Sequence, residues 1–104
     1  MIRVTFRTHG EQLTGFTVVG HAGAGAAGSD IVCAAVSSAA YMTANTVTEI
    51  LGVPASVSVQ DGFMSLDTDG HAAVCQAILS GFRLHIQALH DQYPRRVQLM
   101  NTEV

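Results

Sequence analysis

GHAGAGAAGSDIVCAAVSS, residues 20–38, is the stretch in which a predicted strand gives way to a predicted helix. A loop of residues with little side-chain volume runs from Gly20 to Ser29, and Asp30 then precedes an uninterrupted helix-forming run. Asp is a favoured N-cap residue, because its carboxylate accepts a hydrogen bond from a backbone N–H of the first helical turn. The pattern therefore predicts a helix that begins at about residue 31 and carries Cys33 in its first turn.

A thiol in the first turn of a helix is a candidate nucleophile, because the backbone N–H groups and the helix dipole there favour a thiolate. The dipole contributes only about 0.3 to 1 kcal/mol, and an unperturbed thiol is only about 3% ionised at pH 7. A cationic partner is therefore required. His21, which directly follows the preceding strand, is the candidate general base.

Two other interpretations of Cys33 stay open at this point. Free cysteine is among the most buried residue types, so Cys33 in an Ala/Val-rich helix is also compatible with simple packing in a non-catalytic protein-binding module. Alternatively, Cys33 and Cys75 form the reversible disulfide of a thiol redox sensor, provided that their alpha carbons lie within about 7 Å. Asp30 has two roles open to it: capping the helix or orienting His21.

The string GHAG, followed by a small-residue loop and DIVCAAVS, resembles the signature of the ribosomal-processing cysteine protease family Prp. Chain length and element order are similar to that family over nearly all of the chain. In that family a His and a Cys form a catalytic dyad, so the resemblance implies His21 as general base and Cys33 as nucleophile. It also implies a supporting role for three further positions of the motif, Gly20, Asp30 and Ser37. The glycines of the loop over the site are Gly23, Gly25 and Gly28.

The same resemblance implies a substrate, which composition and spacing do not. Members of the family remove a short N-terminal extension from the large-subunit ribosomal protein numbered twenty-seven, after paired aromatic residues, during bacterial ribosome assembly. We therefore expect a cysteine endopeptidase with a ribosomal protein precursor as partner and without a cofactor. The alternative in the same setting is a non-catalytic ribosome-assembly module in which Cys33 only packs. The chain departs from the family in its loop at 22–29, which has no charged or aromatic residue.

Two further patterns near these residues are weaker. Gly23, Gly25 and Gly28 match a G-x-G-x-x-G phosphate-binding loop, but no acidic residue follows about 20 positions later and the chain is too short for a dinucleotide-binding fold. His71 and Cys75 stand at i and i+4, yet no second pair has metal-ligand spacing. We expect no metal site.

Composition limits the partners that this chain can have. Hydrophobic residues make up 48% of its 104 residues and charged residues only 12%, which leads us to expect an apolar surface buried in a homodimer. The net charge is −3, with five basic residues that are all Arg, and a protein that contacts phosphates directly needs a basic face. Direct binding of nucleic acid is therefore not expected.

The cellular setting is predicted from what the sequence lacks. The start, MIRVTFRTH, interrupts its apolar residues with arginines, and no segment approaches about 18 consecutive apolar residues, so we expect neither a signal peptide nor a membrane span. Two cysteines without an export signal indicate the reducing cytoplasm. The length predicts a single domain over residues 1–104.

Periodicity predicts an α+β fold in the order β-β-α-β-β-α-β, with one mostly antiparallel sheet and two helices on a face. Asp61-Gly62 between two alternating runs predicts a hairpin with a type I′ turn, and Gly15 suggests a bulge or a close backbone approach. The predicted helices are Ile31 to about Leu51 and about Gly70 to Tyr93. The predicted strands are about 2–7, 12–19, 56–60, 63–68 and 95–101.

Overall fold

The computed structural model describes residues 1–20 and 31–104. Its elements follow the predicted order: β1 (Ile2–His9), β2 (Gln12–Gly20), α1 (Ile31–Asn45), β3 (Ser56–Gln60), β4 (Phe63–Asp67), α2 (Gln76–Gln92) and β5 (Val97–Glu103). A π-helical turn, Thr46–Ile50, extends α1, and a 3-10 turn, Ala72–Cys75, leads into α2.

The five strands form one sheet in the order β3-β4-β2-β1-β5. Three neighbouring pairs are antiparallel, and β1 and β5 are parallel. The predicted α+β fold with a mostly antiparallel sheet is thus confirmed. The parallel pair was not predicted, and it arises because β5 returns after α2 to lie beside the first strand of the chain.

Both helices contribute to a core on one face of the sheet. Its centre is an aromatic cluster, in which the Phe82 ring lies 5.5 Å from that of Phe6 and 4.6 Å from that of Phe16, centroid to centroid. The apolar stripe of α2 faces inward as its spacing predicts. The buried residues of that helix are Leu79, Phe82, Ile86 and Leu89.

The first helix buries a narrower face of smaller residues, namely Val32, Val36, Ala40, Thr43 and Ala44. By length and composition alone, the helical run Ile31–Ile50 is apolar enough to cross a membrane. The sequence expectation concerned about 18 consecutive apolar residues, and this helix has no such run because Ser37, Ser38 and Asn45 interrupt it. A core helix passes the same test, and this one contributes its inner face to the hydrophobic core.

Two local predictions were wrong for the same kind of reason, an unexpected backbone dihedral. The Asp-Gly hairpin forms as predicted, but a type I′ turn needs positive φ at both residues, and only Gly62 (φ +67°) has it. The second helix does not begin at about residue 70, because Asp69 (φ +50°) and Gly70 (φ +88°) adopt left-handed conformations that a helix does not allow. The 3-10 turn Ala72–Cys75 then precedes the α-helix, which begins at Gln76.

The prediction for Gly15 is confirmed. The register of β1 and β2 shifts between Arg7 and Thr8, which marks a β-bulge opposite this segment. A side chain at Gly15 would collide with the Leu66 carbonyl oxygen and lie 2.8 Å from the Arg7 guanidinium. That guanidinium donates a 2.7 Å hydrogen bond to the same carbonyl, so Arg7 of β1 reaches across Gly15 of β2 to β4.

Candidate active site

The last residue of β2, Gly20, has a conformation that only glycine adopts without strain. Its φ is +99°, and an added Cβ would collide with the backbone carbonyl oxygen of Met1. Its N–H donates a 2.9 Å hydrogen bond to the carbonyl oxygen of Gly62 in the β3–β4 turn. The end of β2 is therefore joined to the tip of the hairpin, immediately before position 21.

One side of α1 faces the same region. Cys33 lies in the first turn of the helix, as predicted, and is half-buried. Ser37 and Tyr41 follow at i+4 and i+8, so the three side chains form a row along one side of the helix. Ser37 is half-buried and Tyr41 is 46% exposed. The sulfur is thus neither sealed in the core nor fully in solvent.

A cleft of about 230 Å³ separates this row from the hairpin. Its walls are Cys33, Ser37 and Tyr41 of α1 on one side and residues 59–64 on the other, with Gly20 at one end. The lining is more apolar than polar, so it suits a bulky apolar side chain of a ligand beside the thiol. Two supporting positions of the motif, Gly20 and Ser37, thus share a cleft with Cys33.

Sequence reasoning missed Tyr41 on the α1 side of this cleft and the opposite wall, which residues 59–64 form. Tyr41 continues the four-residue spacing of Cys33 and Ser37, and this spacing would have identified it. No local pattern identifies Phe63, because it reaches the site only through the pairing of β4 with β2, in which it stands opposite Val19.

The remaining predicted site residues lie at 21–30, outside the described residues: His21, Gly23, Gly25, Gly28 and Asp30. The dyad, the loop over the site and the choice between capping and orienting for Asp30 stay predictions.

The second cysteine is in a different environment. Cys75 is fully buried at the end of the 3-10 turn that precedes α2, and burial raises the pKa of its thiol. A buried neutral thiol is a poor partner for reversible oxidation, which counts against the redox-sensor interpretation. Within residues 1–20 and 31–104, no group of three or more His, Cys, Asp or Glu side chains is placed to hold a metal ion.

Comparison with known proteins adds a family and a fold. Residues 1–98 match the family model described as cysteine protease Prp. No curated protein sequence gives a significant match. The crystal structure of SMU.848 from Streptococcus mutans is 29% identical with a TM-score of 0.87, and the match covers 100% of this chain and 96% of that one.

Two structures of the essential ribosomal processing protease Prp from S. aureus have the same fold. The complex with a covalently linked product peptide is 24% identical with a TM-score of 0.87. The complex with a substrate peptide is 24% identical with a TM-score of 0.85. Both matches cover 98% of this chain and 100% of the other.

Proposed function

This chain belongs to the cysteine protease Prp family, and on that premise we propose that residues 1–104 form a single cysteine endopeptidase domain. Its substrate is the large-subunit ribosomal protein numbered twenty-seven, from which it removes a short N-terminal extension during ribosome assembly. The observation that carries the proposal is the position of Cys33, half-buried in the first turn of α1 at the wall of a cleft. A nucleophile has to be accessible to a peptide carbonyl while being held in a fixed geometry.

The proposed mechanism uses two side chains. The Cys33 thiolate attacks the scissile carbonyl carbon, and the C–N bond of the resulting tetrahedral adduct breaks as protonated His21 donates its proton to the leaving amine. Neutral His21 then takes a proton from the water that attacks the thioester, and the C–S bond of the second adduct breaks to release the carboxylic acid product and restore the Cys33 thiolate beside protonated His21. The first-turn backbone amides at 31–33 are the candidates for stabilising the oxyanion.

Ser37 and Gly20 support this chemistry in the proposal. Ser37 lies one helical turn beyond Cys33 in the same cleft, and Gly20 fixes where the chain leaves β2 toward His21. Asp30, at the predicted N-cap, holds the start of the helix or orients His21, and the loop that contains Gly23, Gly25 and Gly28 covers the site.

The setting of the enzyme is also a proposal. We place it in the cytoplasm, where its substrate is assembled into ribosomes, as a homodimer that needs no cofactor and contacts neither membrane nor nucleic acid directly. The apolar groove of about 540 Å³ between α1 and α2, lined by residues such as Ala39 and Ile78, is compatible with a second copy.

The test is a mass-spectrometric cleavage assay with the ribosomal protein of the same organism, carrying its N-terminal extension. Wild type and Cys75→Ala are expected to release the extension, whereas Cys33→Ala is expected to release none. Cys75→Ala is the matched control, because each variant keeps one cysteine. Circular dichroism verifies that all three proteins are folded.

Each other outcome contradicts part of the proposal. No cleavage by folded, reduced wild-type protein would favour a binding module in which Cys33 only packs. Equal cleavage by wild type and Cys33→Ala would show that another group, or a contaminant, is the nucleophile.

A further inference from the structure

The outer edge of β3 is open in an unusual way. Within the described part of the chain, β3 pairs only with β4, and all five of its residues are exposed. Natural proteins protect such edges with charges, proline or bulges, because an open edge pairs with other chains. The strand reads SVSVQ, without charge or proline, and its register with β4 is regular. An unprotected edge of this kind indicates a surface on which another polypeptide segment pairs as a strand.

The hydrogen-bonding groups that face this edge can be identified from the ladder. Gly20 N–H bonds the Gly62 carbonyl, and Thr68 N–H bonds the Thr14 carbonyl, so even-numbered residues of this segment bond toward β2. Odd-numbered residues of β4 therefore bond toward β3, where their partners are Ser56, Ser58 and Gln60. It follows that the backbone N–H and C=O groups of Val57 and Val59 point outward.

The edge adjoins the candidate active site. Val57 and Val59 stand opposite Leu66 and Met64, which are buried beneath the helices, so both valines project from the helix-covered face of the sheet. They are nevertheless 41% and 48% exposed, and Val59 lines the cleft together with Cys33. At about 230 Å³ the cleft is smaller than the ~300 to 1,000 Å³ of typical ligand pockets, so it suits a side chain rather than a polypeptide backbone.

The charged residues at the two ends of this edge are acidic, while Arg7 of β1 reaches β4 from the side of β2, where it bonds the Leu66 carbonyl oxygen and lies 3.9 Å from the Asp67 carboxylate. Asp61 follows β3 in the hairpin turn, and Asp69 accepts a hydrogen bond from Ser56 at the other end of the strand. Residues 31–70 contain no Lys, Arg or His. An apolar segment flanked by basic residues therefore complements this edge better than an acidic one does.

We propose that the substrate binds as an added strand on the free edge of β3. Its backbone exchanges hydrogen bonds with Val57 and Val59, one of its apolar side chains enters the cleft beside Cys33, and basic residues that flank this segment lie near Asp61 and Asp69. The inference rests on the proposed protease function and adds the binding mode of the peptide: an extended, apolar segment with basic flanks.

The test compares two proline variants in steady-state cleavage of the same ribosomal protein. Val59→Pro removes an outward N–H from an edge strand, a position where proline is tolerated because no ladder hydrogen bond is lost. Asn101→Pro is the matched control on the opposite edge. Ile2 N–H bonds the Arg96 carbonyl and Val104 N–H bonds the Thr8 carbonyl, so the even-numbered residues of the β5 segment bond toward β1. The N–H of the odd-numbered Asn101 therefore points outward, away from β1.

We expect kcat/KM of Val59→Pro to fall about 10-fold, mainly through KM, because one hydrogen bond to the substrate backbone is lost. The kcat/KM of Asn101→Pro should equal that of wild type, and iodoacetamide should alkylate Cys33 at the same rate in all three proteins. If wild type cleaves and the two variants match each other, the added-strand model is wrong. If wild type does not cleave, the proposed function fails first.

A second measurement keeps the inference testable should Val59→Pro fail to fold. Peptides spanning the scissile bond are N-methylated at one residue at a time and assayed with wild-type protein. An added strand predicts that cleavage falls at every second position, because alternate N–H groups face β3. Equal loss of cleavage at every methylated position would overturn the model. Sedimentation data in which Val59→Pro converts a wild-type dimer to monomers would also overturn it, because the edge would then pair with a second copy of the chain.

Discussion

The two halves of the molecule differ in how completely their strands and helices are buried. The closed half, formed by β1, β5 and α2, carries the deeply buried stripe of α2 and all five arginines of the chain, counting the two that precede β5. The open half, formed by α1, β3 and β4, has a helix of small residues, an edge strand with every residue exposed and a thiol beside a cleft. One sheet thus combines a packed support with a surface left available for a ligand. A site needs rigid support, and here that support comes through β2, which pairs with β1 of the closed half and with β4 of the open half.

The largest effect should come from removing an aromatic ring from each helix. Phe82→Ala, in the closed half, is expected to lower the free energy of unfolding by about 3 to 5 kcal/mol, because it leaves a cavity among packed rings. Tyr41→Ala, in the open half, should cost less than about 1 kcal/mol, because Tyr41 is 46% exposed and Ala favours a helix. Urea denaturation of both variants measures the difference. Similar losses would show that the open half is packed as tightly as the closed half.

A second contrast is the reactivity of the two thiols. We expect iodoacetamide at pH 7 to alkylate Cys33 at least about 100-fold faster than Cys75, because Cys75 is fully buried and reacts only when the core opens. Peptide mapping by mass spectrometry gives both rates in one sample.

The same alkylation experiment examines the dyad. His21→Ala should slow the reaction of Cys33, leave that of Cys75 unchanged, and reduce cleavage by at least about 100-fold, the range for losing a general acid or base. A Cys33 rate that does not change would contradict the thiolate–imidazolium pair.

The smallest effect concerns the far end of the closed half, where the Glu103 carboxylate accepts hydrogen bonds from Gly10 N–H (3.0 Å) and Thr8 Oγ (2.9 Å). These bonds lower the pKa of Glu103, with a smaller contribution from His9. A lowered folded-state pKa stabilises the fold above the unfolded value of about 4.3, and the contribution disappears as pH falls through the folded-state pKa. Wild type should therefore be slightly more stable than Glu103→Gln at pH 7 and equal to it near pH 3.

Urea denaturation at both pH values measures this difference. Glu49→Gln, which removes an exposed carboxylate of the open half, is the matched control for loss of a negative charge. A difference between wild type and Glu103→Gln that persists near pH 3 would mean that the ionised carboxylate is not its source.

The elements of the fold were predictable from the sequence because their signals are local. Alternation in Ile2, Val4 and Phe6 sets a strand face, the spacing of the α2 stripe sets a helix face, and Asp-Gly sets a hairpin. The predictions that were wrong concern the type of the Asp61-Gly62 turn and the first residue of α2, where other interactions determine the backbone conformation. The turn at Gly62 also binds the end of β2 through its carbonyl, and Asp69 and Gly70 turn the chain before α2 begins.

The candidate site was predictable only on one side. The helix pattern and the resemblance to a known family predicted the positions of Cys33 and Ser37. They did not predict the opposite wall of the cleft, which contains Val59 and Phe63, because a residue's position along the chain does not show which strand it will pair with. His21 and Asp30 remain predictions of the motif.

The sequence by itself determined the order of the elements, the position of the thiol in a first helical turn and the absence of basic residues from residues 31–70. Only the tertiary structure decided that β1 and β5 are parallel, that the hairpin approaches α1 to form a cleft, and that Val57 and Val59 turn their backbone groups outward. The physical reason is range: periodicity and turn chemistry act within a few residues, while strand order and exposed edges depend on which distant segments bury each other's apolar faces.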